Sequence, residues 1–307
     1  MGGLAFVFPG QGTQQPGMGK TLYTGSPAAR ALKDRAERLM PGLVDLCFEG
    51  PMERLTQTDI AQPALFMIGL ACAAAAKEAG ITPTAAAGFS LGEWTACRFA
   101  GMLSFEQAFH LVQSRGQWMR QCAEKQPGGM AAVLRMDASE LHAILLSFPL
   151  VYAVNYNAPD QTAVAAATRE LDAFLAYMKQ AGKRCVKLNV SGAFHSPLMQ
   201  AATDKLKQAL TGAEITDPSL PVYSNLNAIP YEVDTAADTL AKQASRKVLW
   251  VDSIKNMAAA GIDTFLELGP GKVLSGLISK ILPEAKVLQA EDMAGIQEAA
   301  AQIGGQP

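Results

Sequence analysis

Histidine is scarce in this chain, with three in 307 residues, and the five cysteines (Cys47, Cys72, Cys97, Cys122, Cys185) include no C-x-x-C pair. That leaves little material for a metal centre, and none is expected. An odd number of separated thiols fits a reducing compartment, so the expected setting is the cytoplasm. Charge of one sign is lacking too: 26 Lys and Arg face 28 Asp and Glu, a formal net charge of -2. Nucleic-acid binders usually carry a basic excess, so nucleic acid is not an expected partner. The longest apolar run, Ala64 to Ala76, falls short of the roughly 20 residues a bilayer span requires and reads as a buried helix. Met1, Gly2, Gly3 and Leu4 lead straight into an apolar strand with no basic region, so neither a signal peptide nor a membrane is expected. Phe6 spoils a myristoylation pattern as well.

Hydrophobic residues make up 49% of the chain and charged residues 18%, enough apolar material for the core of an ordinary globular enzyme. At about 150 residues per domain, the length fits one large domain or a core carrying a smaller insert. Leu4 to Phe8 is an apolar strand that ends at Pro9 and Gly10, and helical patterns follow over Pro27–Met40, Ile60–Ala79, Leu91–Ala100 and Ser104–Ala123. After the linker-like Gln126, Pro127, Gly128, Gly129 the texture changes to strand (Met130–Arg135), helix (Ala138–Ser147), strand (Val151–Tyr156), strand (Thr162–Ala166), helix (Arg169–Gln180) and strand (Arg184–Leu188). That βαββαβ order is ferredoxin-like. It predicts a small subdomain over residues 127–189 inserted in an α/β core formed by 1–126 and 190–307. The core resumes with a helix over Pro197–Leu210, a strand over Val222–Asn225, a helix over Val251–Ala260 and a strand over Thr264–Leu268.

The sharpest motif is Gly88-Phe89-Ser90-Leu91-Gly92, a G-x-S-x-G between a strand and a helix. Such an elbow lifts a serine hydroxyl out of a tight turn, while its glycines let strand and helix approach. A structural glycine turn is the plain alternative. The helix that starts at Leu91 would offer free N–H groups to an oxyanion on Ser90. A serine nucleophile needs a base, normally histidine. His110 and His142 lie inside helices, whereas His195 sits in a loop just before one, where a side chain can face a cleft. The loop Pro9-Gly10-Gln11-Gly12 lacks the third glycine of a dinucleotide fingerprint. It is either a second oxyanion donor at Gln11 or an ordinary turn. Arg115 falls on the stripe Ala108, Val112, Arg115, Met119, Cys122 of a buried helix face, beside Gly116. A buried Arg requires an anionic or hydrogen-bonding partner, either an internal acid or a ligand carboxylate.

Taken in order, these pieces resemble the malonyl-CoA:acyl carrier protein transacylases of fatty acid synthesis and the related acyltransferase domains of polyketide synthases. The resemblance spans nearly the whole chain: Phe8 to Gly12; Gln62, Pro63, Ala64; Ser90 to Glu93; Ser114, Arg115, Gly116; Asn155 to Pro159; Ala193 to Ser196; and Glu267 to Lys272. It implies a hydrolase-like α/β core with a parallel sheet plus the ferredoxin-like insert. It implies that Ser90 forms an acyl ester, that His195 is base and acid, and that the amides of Gln11 and Leu91 form the oxyanion hole. Arg115 would hold the malonyl carboxylate, and Gln62, Asn155, Asn157 and Phe194 would line the site. A backbone carbonyl near Gln243 would orient the histidine in place of a triad acid. The implied partners are malonyl-CoA as substrate and acyl carrier protein, which brings its own phosphopantetheine, so no cofactor is expected; a monomer is expected. Phe194 resembles the malonyl-selective form of its motif. Two positions depart from the family: Phe89 stands where a histidine is usual, and Arg246-Lys247 precede Val248 where Asn-Pro is common.

Overall fold

The computed structural model describes residues 2–304. Its strands in chain order are β1 (Gly3–Phe8), β2 (Ala85–Gly88), β3 (Gly128–Leu134), β4 (Tyr152–Ala158), β5 (Gln161–Ala167), β6 (Arg184–Lys187), β7 (Val222–Tyr223), β8 (Ile262–Leu268) and β9 (Lys286–Ala290). They form two sheets. One is parallel throughout, in the order β7-β2-β1-β8-β9. Ala5 to Phe8 on its central strand are all buried, as a parallel strand covered by helices on both faces requires. The other sheet is antiparallel, in the order β4-β5-β3-β6, with helices Ala138–Leu145 and Thr168–Gln180 interleaved in the βαββαβ sequence. The α/β core and the ferredoxin-like arrangement are therefore both present as expected.

The core is built around the helix Thr58–Glu78, whose small and apolar residues pack on every side. By length and hydropathy it would suit a bilayer, yet 89% of its most apolar stretch is buried in protein. Phe66 in this helix is fully buried against Phe105 and Phe109 of the helix Phe105–Lys125. Such a side chain contributes about 1.5 to 3 kcal/mol on leaving water. The two helices approach closely at Gly116, where a Cβ would stand 2.8 Å from the carbonyl oxygen of Thr58. That close approach brings Arg115 level with Gln62.

Two expectations need correction. The helix foreseen from Pro197 is a short 3-10 turn, Pro197–Met199, followed by a helix over Gln200–Leu210. Proline removes a backbone donor at its start, and Ser196 caps the turn through the N–H of Leu198. The strand foreseen over Val222–Asn225 stops at Tyr223, because Ser224 enters a turn, its N–H donating to the Ile229 carbonyl at 2.9 Å and its carbonyl accepting from the Ala228 N–H at 3.0 Å. Helices over Val233–Lys242, Val273–Ile281 and Met293–Gly304, and the edge strand β9, went unread in the sequence. The two sheets meet where β4 bridges the segment after residue 245: the N–H of Tyr156 donates to Val248 at 3.0 Å, and the N–H of Val248 to Val154 at 2.7 Å.

Candidate active site

Ser90 stands at the end of β2 with φ 54 and ψ -105, a conformation L-residues avoid, and the helix Leu91–Phe99 starts directly after it. A Cβ on Gly88 would collide with the backbone of Gly92 and Glu93, and one on Gly92 with the carbonyl of Phe8. Only glycine at both positions allows the strand, the turn and the helix to stack this tightly.

His195 is the second strained residue, with φ 62, and is almost wholly buried. Its Nε2 lies 2.7 Å from Ser90 Oγ, and its Nδ1 lies 2.9 Å from the main-chain oxygen of Gln243. A carbonyl oxygen only accepts, so Nδ1 carries the proton and donates. Nε2 is left with a lone pair facing the hydroxyl. Burial, and then the charge of Arg115, push the His195 pKa down to about 4. The imidazole is neutral at neutral pH and able to take a proton. His110 and His142, by contrast, are exposed on helices.

Arg115 is 1% exposed and sits on the apolar stripe foreseen for it. No ion pair among the described residues includes it. It donates instead to neutral oxygens: Nη1 to Gln62 Oε1 at 2.7 Å, Nη2 to Gln243 Oε1 at 2.8 Å, and Nη2 to Ser90 Oγ at 3.2 Å. Its Nε is buried without a partner. Burial lowers its pKa to about 10, which still leaves it charged at neutral pH. A buried cation held by three neutral acceptors is poised for an anion to replace them.

These groups open on a cavity of about 360 Å³ between the two sheets, within the range of small-molecule sites. Of the residues singled out in the sequence, Gln11, Gln62, Ser90, Leu91, Arg115, Asn155, Asn157, Phe194 and His195 line it. Gln11 and Leu91 border the cavity, and their N–H groups make no hydrogen bond among the described residues. Asn155 and Asn157 each keep a buried, unpartnered Oδ1. Phe89, the departure from the family pattern, lines the cavity too, its ring edge-on to Trp250 at 5.6 Å. Gln243 is placed differently. It is wholly buried behind the wall and grips Ser90, with Nε2 donating to the Ser90 carbonyl at 2.6 Å. Among the described residues, no group of His, Cys, Asp or Glu is placed to hold a metal ion.

The model of the acyl transferase domain matches residues 5–301. The chain belongs to the acyl transferase family. Within it, the chain is 42% identical over 299 residues to the malonyl CoA-acyl carrier protein transacylase of Bacillus subtilis (strain 168), covering 95% of this chain and 94% of that protein. The crystal structure of the malonyl CoA-acyl carrier protein transacylase from Clostridium perfringens superposes with a TM-score of 0.94 at 32% identity, covering 99% of this chain and 98% of that one. A type II polyketide synthase malonyl-transacylase, solved in complex with its acyl carrier protein, aligns with a TM-score of 0.93 at 32% identity over 98% of this chain and 99% of that one.

Not every buried polar group around this acyltransferase site was foreseen. Asn225, wholly buried, bonds to both sides of the elbow, and Glu93 lies beneath it, accepting from the Asn225 N–H at 2.8 Å and from the Tyr231 hydroxyl at 2.7 Å. Burial raises the Glu93 pKa to about 7 against those hydrogen bonds. Glu93 closes the elbow motif in the sequence, but nothing local reveals that it points inward. Asn225 has no motif of its own and becomes visible only when β7 is laid beside β2.

Proposed function

We propose that this acyltransferase carries malonyl from coenzyme A to the phosphopantetheine thiol of acyl carrier protein through an ester on Ser90, in two half-reactions, supplying extender units for fatty acid synthesis in the cytoplasm. The observation that carries this reading is a Ser–His pair at 2.7 Å beside a buried arginine that has no carboxylate partner among the described residues. A serine hydrolase explains the pair and leaves Arg115 without a purpose.

In the first half-reaction Ser90 Oγ attacks the thioester carbonyl while His195 Nε2 takes its proton. The oxygen becomes an oxyanion between the amides of Gln11 and Leu91. The C–S bond then breaks, and the proton on Nε2 passes to the departing coenzyme A sulfur. In the second half-reaction the carrier thiol gives its proton to Nε2 and attacks the seryl ester, and the proton returns to Ser90 Oγ as the ester bond breaks. Throughout, the malonyl carboxylate takes the guanidinium from its neutral partners, while Asn155 and Asn157 offer their free Oδ1 atoms to amide donors of the pantetheine arm. For the carrier, Arg135, Arg184 and Lys280, with Asp160 among them, line a cleft that shares Gln161 with the catalytic cavity, a surface of net positive charge suited to an acidic partner.

Incubation with malonyl-CoA alone, followed by intact-mass analysis and peptide mapping, should place one malonyl group on Ser90. Addition of acyl carrier protein should then yield malonyl-carrier rather than free malonate. An adduct elsewhere sinks the nucleophile; free malonate as the sole product makes the chain a hydrolase. Offering carriers of fatty acid and polyketide systems side by side decides the pathway.

A further inference from the structure

The elbow creates a problem that the parallel sheet cannot solve with backbone alone. β7 pairs with β2 at Ala86 and Ala87 and goes no further, because the chain turns away at Ser224 on one side and at Ser90 on the other. The next two groups on that edge, the carbonyl of Gly88 and the N–H of Ser90, would be left unpaired in the interior, each at a substantial cost. The side chain of Asn225 takes both. Its Nδ2 donates to the Gly88 oxygen at 2.7 Å, and its Oδ1 accepts from the Ser90 N–H at 2.8 Å. A carboxamide has the donor and acceptor of a peptide group, so it continues the ladder where the strand cannot.

Asn225 is itself held. Its N–H donates to Glu93 Oε1 at 2.8 Å, and its carbonyl accepts from the N–H of Leu249 at 2.8 Å. Opposite, Gln243 Nε2 grips the Ser90 carbonyl at 2.6 Å. The peptide groups on either side of the strained serine are thus clamped by two side-chain amides, neither of which lines the cavity.

We propose that Asn225 is a positioning residue of the transfer reaction: acting through Ser90, it keeps the nucleophile in its unfavourable backbone conformation with Oγ on His195 Nε2. The proposal rests on Ser90 being the acyl acceptor. Asn225 touches neither substrate nor any reacting atom, so it governs the rate at which the bound thioester reacts and leaves thioester binding alone. A residue that served stability only would lower the melting temperature without changing the saturated rate of the folded protein.

The test is single-turnover malonylation of Ser90 in the full chain, measured across malonyl-CoA concentrations. Labelling of Ser90 by a small fluorophosphonate runs in parallel. Asn225→Ala should lower the saturated rate on the order of 30-fold or more, the equivalent of losing a strained but productive backbone state. The half-saturating concentration should stay within about threefold. Fluorophosphonate labelling should fall in step. Asn225→Asp, which still offers an oxygen to the Ser90 N–H, should recover at least about tenfold of that loss. Ile254→Val, a core change of the helix Trp250–Ala259, supplies the baseline for stability loss alone. A saturated rate within about threefold of the unaltered chain overturns the proposal, as does a loss carried wholly by weaker substrate binding. If Asn225→Ala does not fold, Asn225→Ser is held to the same limits, since its hydroxyl is too short to span Gly88 and Ser90 together. Should the unaltered chain form no malonyl-Ser90, the proposed function fails, and the fluorophosphonate arm still decides the role of Asn225.

Discussion

Two histidines in this molecule make the same bond in different surroundings. His195 Nε2 lies 2.7 Å from the Ser90 hydroxyl, and His142 Nε2 lies 2.9 Å from the hydroxyl of Tyr156. In the second pair the imidazole is exposed and the tyrosine half-buried, with Lys247 lying over the tyrosine ring at 5.8 Å. The first is buried: its far nitrogen is fixed by the Gln243 carbonyl, its serine is strained, and a guanidinium stands 3.2 Å from the hydroxyl. On the proposed role of Ser90, a hydrogen bond between imidazole and hydroxyl is therefore not what makes a nucleophile. Tautomer, dry surroundings and donors aimed at the developing charge do that, and in the second pair water competes for every one of these roles.

The largest expected break in this comparison is at the histidines themselves. His195→Ala should slow acylation by malonyl-CoA and transfer to the carrier by roughly 100-fold to 10 000-fold, the range for a general base. His142→Ala should leave both within about twofold. Single-turnover rates for the two variants check this, and equal losses would dissolve the distinction.

Arg115→Ala comes next. Losing a charge-assisted bidentate contact should depress malonyl transfer roughly 30-fold to 1000-fold while sparing or raising acetyl transfer, since acetyl has no carboxylate to lose. Comparing kcat/KM for the two coenzyme A esters on a folded variant decides it. An equal loss for both would make Arg115 a structural residue.

The pH profile sharpens the contrast further. His195 is held down to about 4 by burial and by Arg115. The imidazole is the active form when neutral, so kcat/KM, which reports the free enzyme, should hold as the pH falls through the ordinary histidine range and drop only well below it. With Arg115→Ala one of the two depressing causes is gone, and the acid limb should move upward. A limb at the ordinary histidine value in both proteins would mean that His195 is solvated. The sign for folding follows from the same shift. The unfolded chain binds a proton on His195 that the folded one refuses, so this group makes stability rise with pH between about 4 and the ordinary value near 6.5.

The smallest expected effect is at the surface. Lys183 and Lys187 already pair with Glu140 and Asp172, and Arg184 borders the cationic cleft. Charge reversal at Arg135, Arg184 or Lys280 of the cleft, or at the neighbouring basic clusters Lys183, Lys187 and Arg246, Lys247, should weaken transfer to the carrier a few-fold each, more at low salt, and leave acylation of Ser90 unchanged. Insensitivity to salt and to all seven reversals would end the electrostatic docking idea.

What was legible in the sequence is what local chemistry enforces. Gly88 and Gly92 are demanded by the collision any Cβ would cause, Ser90 lies between them, and the βαββαβ order follows from alternating patterns and turns. The apolar stripe that placed Arg115 inside was equally a local signal. Only the tertiary structure decided what each buried group faces. The guanidinium meets Gln62 and Gln243 rather than an acid, and a bond to residue 243 or residue 62 spans distances along the chain that no periodicity encodes. Gln243 lies behind the wall, Asn225 bridges Gly88 and Ser90, and Glu93 turns inward beneath them. The physical reason is the same in each case. A strained turn at the end of a parallel strand leaves backbone groups that must be satisfied, and the side chains able to reach them come from whichever segments the sheet order brings alongside.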